Sequence, residues 1–276
     1  MSGLALTIQE VQQASLTILK KIDVICRKEN IKYYVAYGTL IGAIRHQGFI
    51  PWDDDLDIQM PRADYNRFIC YFDNHAEELF PFTALYDSLS RRLPFLITRI
   101  SDMTYKMVGE FGQGVNQLGA FVDVYPLDGL GCNLDEAERK LIFMRKTSLN
   151  YLRCSNPAYN RIGTPGKKIL KRLYSITRGS SQLQENKFRK AIQSCDFEKS
   201  DYVSSCVWDW DLKSINRKDD YGDVQYVKFE DILVPVPNNF DIILRKQYGN
   251  YMQLPTREER TAHHCYQLVH RAGLTD

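Results

Sequence analysis

Residues 36–60 read AYGTLIGAIRHQGFIPWDDDLDIQM, and the fold turns on how that stretch is understood. A small-residue turn at Gly38-Thr39 leads into a short helical segment carrying Arg45. Breaks at Gly48 and Pro51 follow, then the aspartates Asp53, Asp54, Asp55 and Asp57. Asp55 and Asp57 alternate with Leu56 and Ile58, and on a β-strand residues two apart share a face. The two carboxylates then project together while the apolar pair packs inward. Like charges crowded on one face repel unless something compensates them. A divalent cation does so, and oxygen-only ligands favour Mg2+ or Mn2+ over zinc. Asp53 shares the parity of Asp55 and Asp57 and joins the ligand candidates. Asp54 points the other way and reads as structural. The plain alternative is an acidic surface turn after Pro51, and the GTLIGAIR segment upstream weighs against it.

Working outward, Lys32–Ala36 is β-rich in composition and Gly38 breaks it. A strand that runs through a Gly-Thr turn into a helix leaves backbone N–H groups exposed at the helix start, a ready anion site. The amides of Gly38 and Thr39 are therefore the candidates to hold an anion. Arg45 either adds charge there or pairs with Asp53 or Asp54. Downstream, GAFVDVYPLDGL at 119–130 sets Asp123 inside an apolar run, where an ionised carboxylate is costly unless paired or bound to metal. Asp123 is the natural third carboxylate beside Asp55 and Asp57, with a strand-end cap as its alternative; Asp128, before Gly129, reads as a turn residue.

The remaining elements follow from periodicity. Residues 7–29 form an amphipathic helix opened by a Thr7/Glu10 capping box. A helix spans about 62–79, with Pro61 at its start. Short strands are expected near 82–86, 93–100 and 105–108; Arg99 and Lys106 within them face either solvent or a phosphate, and each taken singly reads as solvent-facing. Helices are expected over 135–151 and 185–200, with a strand over 202–208. The segment GKKILKRLYSITRG forms a basic amphipathic helix that either lies on an anionic membrane surface or presents a solvated face. A strand pair at 224–229 and 232–236 turns at Glu230-Asp231. A helix from Phe240 to Tyr248 ends at Gly249. His263 and His264 point different ways on any helix, which argues against a paired zinc site; His263 is the candidate for assisting a phosphate.

Composition narrows the class. With 44% hydrophobic and 25% charged residues in 276, the chain buries an ordinary globular core. A net charge of +2 offers no footprint for nucleic acid. No stretch approaches the roughly 20 apolar residues of a membrane helix, and MSGLALTIQEVQQ lacks a signal-peptide pattern. The seven cysteines have no CxxC spacing, so neither a disulfide framework nor a zinc knuckle is expected. A cytoplasmic protein is the expectation.

Three motifs together resemble the LicD family: YGTLIGAIRHQGFIPWDDDLDIQM at 37–60, FVDVYPLDGL at 121–130 and VPVPNNFDIILRKQYGNYMQLPTREERTAHH at 234–264. The middle, about 150–220, matches loosely. The resemblance implies an α/β fold: a nucleotidyltransferase-like mixed, twisted sheet flanked by helices, with further C-terminal helical elements. It implies one domain over 1–276, with a core at about 30–130 and helical and C-terminal elements over about 134–276. Its active site would be a Gly-Thr turn (Gly38, Thr39), a D-x-D strand (Asp55, Asp57) and a third acidic strand (Asp123, also a candidate general base). The implied reaction moves phosphocholine from CDP-choline to a sugar hydroxyl of a teichoic-acid or lipopolysaccharide precursor at the inner face of the membrane and releases CMP. A trimethylammonium group needs an aromatic face, for which Trp52, Trp208 and Trp210 are candidates, each also readable as core. CDP-linked ribitol, glycerol or ethanolamine would use the same carboxylates. An ordinary nucleotidyltransferase and an inactive partner of a glycan enzyme are the further alternatives.

Overall fold

Why the acidic run ends where it does becomes clear from the strands around it. The computed structural model describes residues 4–86, 96–108, 117–155, 164–177, 180–261 and 266–272. The chain divides into two compact units, one of residues 1–85, 98–125 and 219–276, the other of residues 86–97 and 126–218.

The first unit opens with α1 (Ile8–Lys28), whose capping box is present as expected: the Glu10 amide donates to Thr7 Oγ1 and the Thr7 amide to Glu10 Oε2. Its inner face buries Val11, Ile18, Leu19, Ile22 and Ile25, each contributing about 1.5–3 kcal/mol by leaving water. Next come β1 (Tyr34–Val35), α2 (Tyr37–His46), β2 (Asp57–Pro61), α3 (Arg62–Asn74), α4 (Ala76–Leu79), β3 (Phe82–Leu85), β4 (Thr98–Asp102), β5 (Tyr105–Val108) and β6 (Ala120–Gly131). They build a curled mixed sheet in the order β1-β2-β6-β4-β3, flanked by helices. The expected helix over 62–79 breaks into α3 and α4 at His75, whose φ of −120° leaves the helical region. The strand expected near 93–100 is β4, and part of its expected span lies outside the described residues.

Strand β6 runs through both units and is buried along its whole length. Asp128 is therefore no turn residue. It sits fully buried in the strand opposite Ser204, because the Asp128–Gly131 end of β6 pairs with β7 in the second unit.

That second unit holds α5 (Leu134–Ser155), α6 (Pro165–Thr177), α7 (Ser181–Gln193), β7 (Tyr202–Ser204) and β8 (Asn216–Arg217). Helix α7 starts and ends earlier than the 185–200 expectation because the Ser180 hydroxyl caps it, accepting from the Leu183 amide. Helices α5 and α7 meet through stacked rings of Tyr151 and Phe188, with centroids 4.7 Å apart. The expected strand over 202–208 stops at Ser204, where a turn carries Trp208. After α8 (Lys218–Tyr221), the first unit is completed by the hairpin β9 (Gln225–Phe229) and β10 (Ile232–Val236), helix α9 (Phe240–Tyr248) and β11 (Gln267–His270). Strand β11, which no periodicity announced, pairs antiparallel with β5. The six described cysteines are free thiols.

Candidate active site

The geometry of the site begins with the start of α2. Ala36 enters in an extended conformation and offers no side-chain cap to the first-turn amides. Tyr37 turns the chain with φ +48°, a left-handed conformation uncommon for a bulky residue. Gly38 is required by proximity: a Cβ there would lie 2.6 Å from Asp53 Oδ2. The helix thus starts in contact with the acidic run.

That run is not a strand at its beginning. Residues 53–56 are irregular and β2 starts at Asp57, so the expectation of Asp55 and Asp57 on one strand holds only for Asp57. The lead-in is tethered instead. The Asp53 amide donates to the Ile50 carbonyl, and Gln12 of α1 donates from Nε2 to the carbonyls of Ile50 and Asp53. Parity nevertheless survives. Asp53, Asp55 and Asp57 line a cavity of about 770 Å³ together with Tyr37, Gly38, Arg45, Trp52 and the segment around Tyr251–Glu259. Asp54 is absent from that wall. Its carboxylate still offers an oxygen that, with one each from Asp53 and Asp55, forms a group lying within 4.8 Å of one another. The Tyr266 hydroxyl donates to the Asp54 carbonyl at 2.9 Å.

Asp57 carries the electrostatic tension of the site. Its amide donates to Thr39 Oγ1 at 2.8 Å, which fixes the strand to α2. Its carboxylate is buried, and Oδ1 has no hydrogen-bond partner. Burial, then the charges of Asp55, Asp123 and Asp53, pushes its carboxyl well above the usual range, while a hydrogen bond from Tyr125 pulls the other way. The Tyr125 phenol is itself pushed well up by burial and by Asp57, so it stays a proton donor.

Asp123 lies next to this group on β6, but its charge is answered. Both its oxygens accept from Arg99, at 2.6 Å from Nε and 3.0 Å from the second guanidinium nitrogen. The two residues face each other in the β4/β6 register. Arg99 is only 2% exposed, with its guanidinium 4.3 Å from the Phe121 ring centroid. The solvent-facing reading of Arg99 is therefore corrected: an antiparallel register across β4 and β6 takes it inside.

The opposite wall is basic. Arg45 donates to the Tyr251 carbonyl at 2.5 Å and from Nε to His46 Nε2 at 2.9 Å. It makes no ion pair with Asp53 or Asp54. Burial, with Arg260 close by, pulls its guanidinium below the ordinary value. Arg260 lies over the Trp52 ring at 5.3 Å. Trp208 and Trp210 belong to the second unit, where the Trp210 indole donates to the Cys206 carbonyl. His263 lies outside the described residues.

Sequence reasoning missed Arg99, Tyr37, Tyr125 and Gln12. Arg99 could have been found only from strand register, and the tyrosines carry no local signal that separates them from core. The residues present fit a divalent cation on physical grounds. Asp57 is buried with Oδ1 unsatisfied and feels the charges of Asp55, Asp123 and Asp53, while carboxylate oxygens of Asp53, Asp54 and Asp55 converge beside it, an all-oxygen donor set of the kind that a hard divalent cation takes.

A helix whose first turn sets Gly38 against a carboxylate cluster, on a mixed sheet flanked by helices, is the arrangement of a nucleotidyltransferase-like enzyme, a transferase class. Comparison with known proteins agrees. Residues 30–99 match the LicD/FKTN/FKRP nucleotidyltransferase domain. Over 267 residues, 94% of this chain and 96% of the relative, it is 30% identical to the Haemophilus influenzae lipopolysaccharide cholinephosphotransferase LicD. Uncharacterised proteins of Rickettsia typhi and Rickettsia prowazekii are 49% and 51% identical over 51 and 47 residues, covering 16% and 18% of those proteins. The chain belongs to the LicD family.

Proposed function

We propose that the chain transfers phosphocholine from CDP-choline to a sugar hydroxyl of a cell-surface glycan precursor, lipopolysaccharide or teichoic acid, and releases CMP. The observation that carries this reading is the set Asp53, Asp55 and Asp57 lining one cavity, with Asp57 buried and unsatisfied at Oδ1. The full-length likeness to a relative named as a cholinephosphotransferase supports the choice of group.

The reaction forms a bond from the sugar oxygen to the choline-bearing phosphorus and breaks the bond from that phosphorus to the CMP oxygen. The hydroxyl proton leaves to a base. A Mg2+ or Mn2+ ion held by Asp53, Asp55 and Asp57, with Asp123 behind them, would neutralise phosphoryl charge as it builds. The chain's own groups do the remaining work. The Gly38 and Thr39 amides at the uncapped start of α2 suit a donor phosphate. Arg45 and Arg260, neighbouring cations with no carboxylate partner among the described residues, suit the diphosphate. Tyr125 steadies Asp57 by donating to it. Asp123 was a candidate base, but with both oxygens accepting from Arg99 it serves better as part of a fixed, charge-balanced inner wall.

One observation favours a second reading of the donor. Trp52 already carries a guanidinium over its ring, so its service to a trimethylammonium group competes with Arg260. CDP-linked ethanolamine, glycerol or ribitol would leave that pair intact. The two readings separate in 31P spectra of the protein with Mg2+, a glycan acceptor and each donor in turn. Fastest CMP formation from CDP-choline supports the first. Preference for another CDP-linked donor supports the second, and pyrophosphate released from CTP contradicts both.

A lipid-linked acceptor would place this cytoplasmic enzyme at the inner membrane face. Among the described residues no helix is long and apolar enough to cross a membrane. On α6, Ile169, Leu170 and Leu173 are each more than half exposed beside exposed Lys167 and Lys168, a composition suited to lying on an anionic surface.

A further inference from the structure

The second unit contains a cavity of about 680 Å³ between facing sides of α5 and α7. Thr147 and Asn150 project from one helix, three residues apart. Gln184, Lys187 and Ala191 project from the other at three- and four-residue spacings, which puts them on one helical face. Thr147, Asn150, Gln184 and Ala191 are buried and form the floor, while Lys146, Lys187 and Lys190 stand exposed at the rim.

Two features of these residues point to a ligand. None of the three lysines makes an ion pair or a side-chain hydrogen bond among the described residues, although other long charged side chains of this unit do, as Arg189 with Glu185 and Lys199 with Asp196 show. The rim therefore holds three positive charges with no local answer. On the floor, Asn150 is 8% exposed and lines the cavity, and its amide makes no hydrogen bond among the described residues. The Thr147 hydroxyl is already spent as a donor to the Phe143 carbonyl, so it does not supply one. An unengaged amide donor lining the cavity beneath three unpaired ammonium groups matches the oxygens of a phosphate ester. The exposed Phe143 ring at the edge offers an apolar face to the body that carries it, as sugar rings often require.

We propose that this groove is a binding site for a phosphorylated sugar, distinct in its residues from the carboxylate site. It would hold a phosphate-bearing unit of the glycan acceptor. Only the last step, from sugar phosphate to acceptor, rests on the transfer reading above.

The test is calorimetric titration of the whole protein with a hexose 6-phosphate and with inorganic phosphate. The wild type should bind the sugar phosphate saturably and more tightly than phosphate alone. The exposed-residue variant Lys187→Gln/Lys190→Gln should weaken binding at least tenfold, and Asn150→Ala should do so while the thermal shift produced by Mg2+ stays unchanged. Absence of saturable binding, or binding indifferent to both variants, overturns the proposal. Lysine-dependent capture on anionic vesicles without sugar-phosphate binding overturns it too, since a lipid headgroup would then be the ligand. Failure of phosphocholine transfer with sugar-phosphate binding intact would count against the catalytic reading alone.

Discussion

At the scale of single residues, the site contrasts two buried aspartates in opposite electrostatic states. Asp57 sits among like charges with one oxygen unsatisfied, whereas Asp123 is held at both oxygens by Arg99. Removing charge should therefore have opposite consequences at the two places. Asp57→Asn keeps the shape and relieves repulsion, so the metal-free variant should melt no lower than the wild type. It should also lose the rise in melting temperature that Mg2+ gives the wild type by binding the native state, and transfer should fall on the order of 100-fold or more. Arg99→Ala instead strands the Asp123 charge in the core, a loss of about 3–5 kcal/mol when a buried pair is broken. Denaturant unfolding distinguishes the two: a large fall for Arg99→Ala and none for Asp57→Asn. The aspartates were legible in the sequence because four acids beside an alternating Leu-Asp-Ile pattern are unusual. Arg99 was not legible, since only strand register shows that it faces Asp123.

At the scale of elements, the junction of α2 with the acidic lead-in decides the geometry. Thr39 ties the Asp57 amide to the helix, and Gly38 lets the Asp53 carboxylate approach the helix start. Gly38→Ala brings a methyl group to 2.6 Å from Asp53 Oδ2. Because that oxygen belongs to a side chain, the fold should survive with a small change in melting temperature, while Mg2+ affinity and turnover drop together. Unchanged turnover in a folded Gly38→Ala variant would show that Asp53 is not held where the chemistry needs it. Periodicity and caps predicted most helices well: the Thr7/Glu10 box, the β9/β10 hairpin and the end of α9 at Gly249 all stand as read. Ends set by tertiary contacts were not readable. Asp53–Leu56 stays irregular because Gln12 tethers it, and β6 continues to Gly131 because β7 pairs with it. Strand β11 is short and mixed, and its partner β5 lies far upstream in the chain.

At the scale of the whole molecule, the first unit contains the carboxylate cavity and the second contains the lysine-rimmed groove and the exposed α6 face. The family and the core architecture were legible because the motif at 37–60 concentrates the turn, helix and carboxylates in one stretch. The second unit matches the family pattern loosely, so its groove had no motif to announce it. For α6, charge reversal at Lys167 and Lys168 should weaken sedimentation with anionic vesicles and leave neutral vesicles unaffected; equal binding to both would dismiss a membrane role. The central claim is tested most directly by CMP release from CDP-choline in the presence of a glycan acceptor, measured with and without Mg2+ for the wild type and Asp57→Asn. The account predicts Mg2+-dependent CMP formation matched by phosphocholine on the glycan, and its loss in the variant. Turnover that persists in Asp57→Asn, or that ignores the metal, would contradict it.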